Sequence, residues 1–184
     1  MVLTADLVKK IYLPRELFPV SMIWVACVHL LPQLVILMGG ALMFGWRPGP
    51  LNLLAGAVAM IIVAVLALGL GLLFSAGNVL FRDAENIVDL FLMVGTWASP
   101  VLYTWDRVER NVSPWLWVIY QCNPLTPAVE LMHYCFWYPA TDRSTALPPS
   151  LPAWSLFALI SALVTLALGQ VVFARLSGRF AQEL

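Results

Sequence analysis

The chain has 184 residues, of which 61% are hydrophobic and 11% charged, with ten basic and ten acidic side chains that cancel. A water-facing surface needs more charge than that, and the charges here fall in clusters between long uncharged runs. The composition therefore argues against a soluble domain, leaves no basic face for nucleic acid, and points to the bilayer as solvent.

Residues 1–10 carry Asp6, Lys9 and Lys10 ahead of any apolar run, and no small-residue cleavage site follows, so they do not read as a signal peptide. A polar segment over 4–19 leads into the first of four runs apolar enough to cross, 20–44, 53–77, 87–104 and 153–174. As helices rising 1.5 Å per residue they would reach about 27 to 37 Å, against a hydrocarbon core of about 30 Å. The first run holds His29, Pro32 and Gln33, which predicts a kink near its middle and an interhelical hydrogen bond from His29. The second is rich in small residues, Gly56, Ala59, Ala64, Ala67, Gly69 and Gly71, which predicts a face packed closely on another helix.

Four spans place both termini on one side. Lys9, Lys10 and Arg15 precede the first run, Arg82 separates the second from the third, and Arg175 and Arg179 follow the last, so this side is expected to be cytoplasmic. The opposite side receives a short turn over 45–52 and a long stretch over 105–152, where Arg47, Arg107, Arg110 and Arg143 work against the charge rule.

Within that stretch two apolar pieces, 114–120 and 127–137, flank Asn123-Pro124-Leu125-Thr126-Pro127. A proline has no amide to donate and restrains the residue before it, so the helix must break there. Neither piece reaches the lower limit of about 17 residues for a span, so 114–137 is expected to dip in and return. Such a break is tolerated at membrane depth only where protein or water shields the backbone. Pro139, Pro148, Pro149 and Pro152 predict an irregular connection before the last run. Cys27, Cys122 and Cys135 are odd in number and lack zinc spacing, so no metal site is indicated. Free thiols are the simpler reading, with a Cys122–Cys135 disulfide the alternative in an oxidising compartment.

Three stretches then occur in a telling order. They are Leu7-Val8-Lys9-Lys10-Ile11-Tyr12-Leu13-Pro14-Arg15-Glu16-Leu17-Phe18-Pro19, then Phe81-Arg82-Asp83 with Ser99-Pro100-Val101-Leu102-Tyr103 after the third run, then Asn123-Pro124-Leu125-Thr126-Pro127. Together they resemble the permease subunit of type-two ABC exporters, in particular the branch that exports polysaccharides, O-antigen and teichoic acids. The resemblance covers essentially the whole chain. It implies an all-α integral membrane protein with four transmembrane helices, a cytoplasmic coupling helix over 4–19 and two short re-entrant helices before the last span. Family members have six spans behind an amphipathic interfacial helix, and this sequence starts at the coupling segment. The resemblance also implies a multi-pass protein of the bacterial cytoplasmic membrane, with both termini cytoplasmic. Its partners would be a separate ABC ATP-binding subunit, a second permease copy and a lipid-linked glycan, and it would carry no cofactor and no catalytic residue. The sequence contains no Walker Gly-Lys-Ser/Thr loop of its own.

The residues admit more than one reading. Lys9, Lys10, Arg15 and Glu16 could set electrostatic register on the ATPase, with Tyr12 and Leu13 as apolar anchors, or the segment could simply hold anionic lipid. Arg82 could receive a pyrophosphate, or could pair structurally with Glu85 beside Asp89, a carboxylate that an apolar run should keep facing a cavity or partner. Trp97, Tyr103 and Tyr120 could guide sugar rings along the substrate path, or belong to an interfacial aromatic belt. Asn123, Pro124, Thr126 and Pro127 form the re-entrant break. Glu130 and His133, three apart, are expected to share a hydrogen bond. Competing functions are export of a drug or lipid, a non-transporting remnant, and a membrane enzyme on lipid-linked sugars, for which 82–89 is the candidate cluster.

Overall fold

The computed structural model describes residues 17–80, 84–141 and 147–177, with side chains over 20–77, 86–141 and 147–176. These residues form seven helices and no strand: α1 Leu17–Met43, α2 Pro50–Leu80, α3 Ala84–Ala98, α4 Trp105–Asn111, α5 Pro114–Cys122, α6 Leu125–Ala140 and α7 Leu151–Ser177. Apolar stretches long enough to cross a membrane run over Val20–Met43 in α1, Pro50–Gly77 in α2 and Leu151–Leu176 in α7. The chain is an all-α integral membrane protein.

The α2–α7 pair is the backbone of the fold. Ala55, Ala59, Ile62, Leu66, Gly69, Leu72 and Ala76 recur every three or four residues along α2 and are buried. Leu151, Ser155, Ala158, Ala162, Gly169 and Phe173 are buried along α7, with half-buried Thr165 and Leu166 filling the one longer step. At their crossing the two backbones meet: a Cβ on Gly169 would lie 2.5 Å from the Gly69 carbonyl oxygen, and one on Gly69 would lie 2.6 Å from the Leu166 nitrogen. Only glycine fits on either side, the arrangement by which small residues join helices when lipid offers no hydrophobic drive. The α7 hydroxyls are satisfied within the helix, Ser155 donating to the Leu151 carbonyl at 2.7 Å and Thr165 to that of Ser161 at 2.8 Å.

The expected small face of α2 is thus partly realised. Gly56, Ala59 and Gly69 pack, whereas Ala67 is exposed and Gly71 faces open space. α6 wedges against the start of this pair, where Ala128 and Leu131 join Ala55, Ala59, Ile62, Leu151 and Ala158 in one core; Leu72, Ala76 and Phe173 close the other end. None of the apolar stretch of α1 is buried. His29 is exposed there and shows no interhelical hydrogen bond among the described residues, contrary to expectation.

Two boundaries differ from the sequence reading. The run expected over 87–104 is helical only to Ala98, followed by turns. Pro100 has no amide to offer the Thr96 carbonyl, which the Ser99 hydroxyl approaches at 3.4 Å while bonding the Gly95 carbonyl at 2.7 Å. At 15 residues α3 is about 22 Å long, short of a core of about 30 Å. The break after α5 is also narrower than expected. Asn123 is extended, as a residue before proline should be, Pro124 caps α6, and Pro127 already lies in its first turn, where no intrahelical amide bond is required. α6 then runs through Pro139 to Ala140, a residue expected in irregular chain. All three cysteines are free, Cys135 buried and Cys122 exposed, so the Cys122–Cys135 disulfide does not form here.

Candidate functional site: the α5–α6 pair and the cleft beside it

Among the described residues, the buried side-chain polar atoms with no hydrogen-bond partner are Ser113 Oγ, Tyr120 Oη, Gln121 Nε2, Thr126 Oγ1 and Glu130 Oε1. All five lie on α5, α6 and the residue that opens α5. Buried polar groups without partners cost on the order of 1–3 kcal/mol each, so their concentration in one place marks a site that awaits water, a ligand or a second chain.

The break itself is held by Asn123. Its side-chain oxygen accepts from the Leu125 amide at 3.1 Å, starting α6, and its Nδ2 donates to the Ala98 carbonyl at 3.4 Å, tying the break to the end of α3. Thr126 donates its amide to the Asn123 carbonyl at 3.0 Å. Next to this junction the structure gathers the three aromatic residues expected on the substrate path. Tyr103 donates its hydroxyl to the Trp97 carbonyl at 3.0 Å. Tyr120 stacks on Trp117 at 5.5 Å, and Trp117 meets Trp105 at 6.2 Å. A row of rings therefore runs from Trp105 on α4 to Trp117 and Tyr120 on α5.

Other expected site residues lie elsewhere. Asp89 sits exposed on α3 with no ion pair among the described residues. Lys9, Lys10, Tyr12, Leu13, Arg15, Glu16 and Arg82 fall outside the described residues.

α6 is anchored by residues that the sequence reading passed over. Pro139 cannot donate to the carbonyl four residues earlier, which leaves the Cys135 oxygen without its helical partner. Trp46, in the α1–α2 turn, supplies the missing donor: its Nε1 reaches that oxygen at 3.0 Å, and its ring stacks on Phe136 at 5.0 Å. Asn52 donates to the neighbouring Tyr134 carbonyl at 2.8 Å, while its side-chain oxygen accepts from the Gly49 amide at 3.0 Å and so caps α2. Gly45, at φ +82°, gives the left-handed residue that this turn needs. Gly56 completes the contact, because a Cβ there would lie 2.8 Å from Cys135 Sγ. The one sequence signal for this latch was the position of Pro139.

On its other side α6 lines a cleft of about 270 Å³ with α4, bounded by Trp105, Asp106, Glu109, Arg110, Glu130, His133, Trp137, Tyr138 and Leu147. Glu130 is 3% exposed, and its Oε2 lies 3.5 Å from His133 Nδ1, longer than a good hydrogen bond. The His133 ring meets Trp137 edge-on at 5.5 Å. Across the cleft Asp106 and Arg110 face each other at 3.7 Å, one turn apart on α4. The Thr104 hydroxyl, and then the Arg110 charge, hold the Asp106 carboxyl below its ordinary value. No group of three metal-ligating side chains occurs among the described residues.

Long apolar helices braced by a glycine contact, with a short helical pair packed beside them, define an all-α membrane protein. Residues 2–137 match the family described as ABC-2 type transporter, and the chain belongs to that family. Among curated relatives, an O-antigen export system permease protein RfbA of Klebsiella pneumoniae is 28% identical over 125 residues, covering 68% of this chain and 47% of that protein. A second Klebsiella pneumoniae protein of the same name is 29% identical over 126 residues, with the same shares. The RfbA permease of Myxococcus xanthus is 25% identical over 179 residues, 97% of this chain and 65% of its own. The chain thus spans about half the length of the Klebsiella relatives it matches.

Proposed function

We propose that the chain is the membrane part of an ATP-driven exporter of the bacterial inner membrane that moves a lipid-linked polysaccharide of the O-antigen, galactan or teichoic acid kind outward. The reading rests chiefly on one observation: the buried polar atoms without partners gather at the α5–α6 pair, where Tyr120 stacks on Trp117 and Trp117 meets Trp105. Every named relative is an O-antigen export permease, which favours a glycan over a drug or simple lipid as cargo.

In this reading both termini are cytoplasmic and α5–α6 lie within the outer leaflet. Residues 4–19 form the coupling segment, in which Lys9, Lys10, Arg15 and Glu16 set register and Tyr12 and Leu13 insert into a separate ATP-binding subunit. A second permease copy completes the path. Arg82 receives the phosphate of the carrier lipid, Asp89 faces the path between copies, and the aromatic row guides sugar rings outward, sequence-tolerant because ring faces bind by stacking. The chain's part is mechanical, with ATP hydrolysed by the partner.

The test is co-purification from the native membrane. The chain is expected to bring down an ATPase of the ABC class, and Tyr12→Glu with Leu13→Glu to lose it while the chain still inserts. A chain that inserts normally yet never associates with an ATPase would overturn the proposal.

A further inference from the structure

We infer that the cleft between α4 and α6 is a binding site for a neutral, hydroxyl-rich ring, a pyranose unit of a glycan. The inference rests on the exporter reading only for where the ligand comes from; the chemistry stands on the cleft itself.

The first observation is Glu130. A carboxylate this buried should have all its acceptor capacity filled. Yet Oε2 has only the long contact to His133, and Oε1 has none. It lines the cleft, so the absent donor is expected to arrive from there.

The second is the balance of the lining. Glu130, Glu109 and Asp106 accept hydrogen bonds, Arg110 and His133 donate, and Tyr138 does both. An organic ammonium would use only the acceptors and would meet the Arg110 charge. A phosphate would use only the donors and would meet three carboxylates. A sugar hydroxyl donates and accepts at once, so it alone uses both sets. A divalent cation lacks its ligand set among the described residues.

The third is shape. The cleft is smaller than pockets for drug-sized ligands, which run about 300–1,000 Å³. It has Trp105 and Trp137 as apolar walls, against which the C–H face of a sugar ring can pack while its hydroxyls reach the polar groups.

The test uses the full chain in nanodiscs without nucleotide, with saturation-transfer NMR and tryptophan fluorescence as readouts. The probes are a neutral galactose disaccharide, tetramethylammonium and inorganic phosphate. The disaccharide is expected to show saturation transfer to its ring C–H protons. Glu130→Gln is expected to weaken its binding about tenfold and Trp137→Ala to abolish it, a single charged hydrogen bond being worth about that factor. Trp115→Ala, outside the cleft, should change nothing. Glu109→Gln, on the exposed face of α4, gives the same reading with less demand on folding. A glycolipid bearing the same disaccharide tells whether the sugar arrives from the membrane or from solution. Binding of tetramethylammonium or phosphate in place of the sugar, or sugar binding indifferent to all three cleft substitutions, overturns the inference. Because no ATPase is present, its failure leaves the co-purification result standing, and the reverse also holds.

Discussion

The α2–α7 seam and the α5–α6 pair meet the same demand in opposite ways. In the seam two long uninterrupted helices pair their own backbone at the crossing, so the side chains need only be small enough to let Gly69 and Gly169 touch. In the pair the helices are too short and too interrupted to satisfy themselves. The α6 backbone is completed from elsewhere, by Trp46 of the α1–α2 connection, Asn52 at the start of α2 bonds the neighbouring carbonyl, and five buried polar atoms remain unpaired. The first region is built to be dry and closed, and the second is built to have something added to it.

The largest expected effect breaks the seam. Gly69→Ala places a methyl 2.6 Å from backbone that cannot yield, and should cost about 3 kcal/mol in a detergent unfolding titration. Gly71→Ala, two residues away and facing open space, should stay within about 0.5 kcal/mol. Equal costs would show that the glycine contact does not hold the helices.

An intermediate effect tests the borrowed donor. Trp46→Phe keeps the ring on Phe136 but removes the indole N–H, and should cost about 1–2 kcal/mol. In a Pro139→Ala background the helix regains its own amide, so the same substitution should cost clearly less, a coupling that a double-mutant cycle reads directly. Additivity would mean that Trp46 does not stand in for Pro139.

The smallest effect lies at the entry to α7. Ser150 has φ +58°, a conformation costly for any residue but glycine, and its carbonyl receives the Ala153 and Trp154 amides at 2.9 and 3.1 Å. Ser150→Gly should stabilise the fold by about 0.5 kcal/mol, measured in the same titration.

How far the sequence could be read follows from the range of the interactions. The break at Asn123-Pro124 is dictated by neighbours in the chain and was legible. So was part of the small face of α2, because a three-to-four spacing of Gly and Ala is local information. The early end of α3 was also spelled out, in Ser99-Pro100, but the run of apolar residues on either side outweighed that stop signal. Trp46 and Asn52 were not legible: they bond residues 89 and 82 positions away, and nothing near them says where a donor is wanted. The α4–α6 cleft was hidden for the same reason. Asp106, Glu109 and Arg110 read as a charged loop until α4 brings them opposite Glu130 and Trp137.

Pro139 carries a mechanical consequence. A helix that relies on a distant indole for one of its rungs stays whole only while that indole is in place. Lifting the α1–α2 turn away from α6 would leave that carbonyl without a donor. The turn and α6 must therefore travel as one body, and any displacement of α6 has to carry the start of α2 with it.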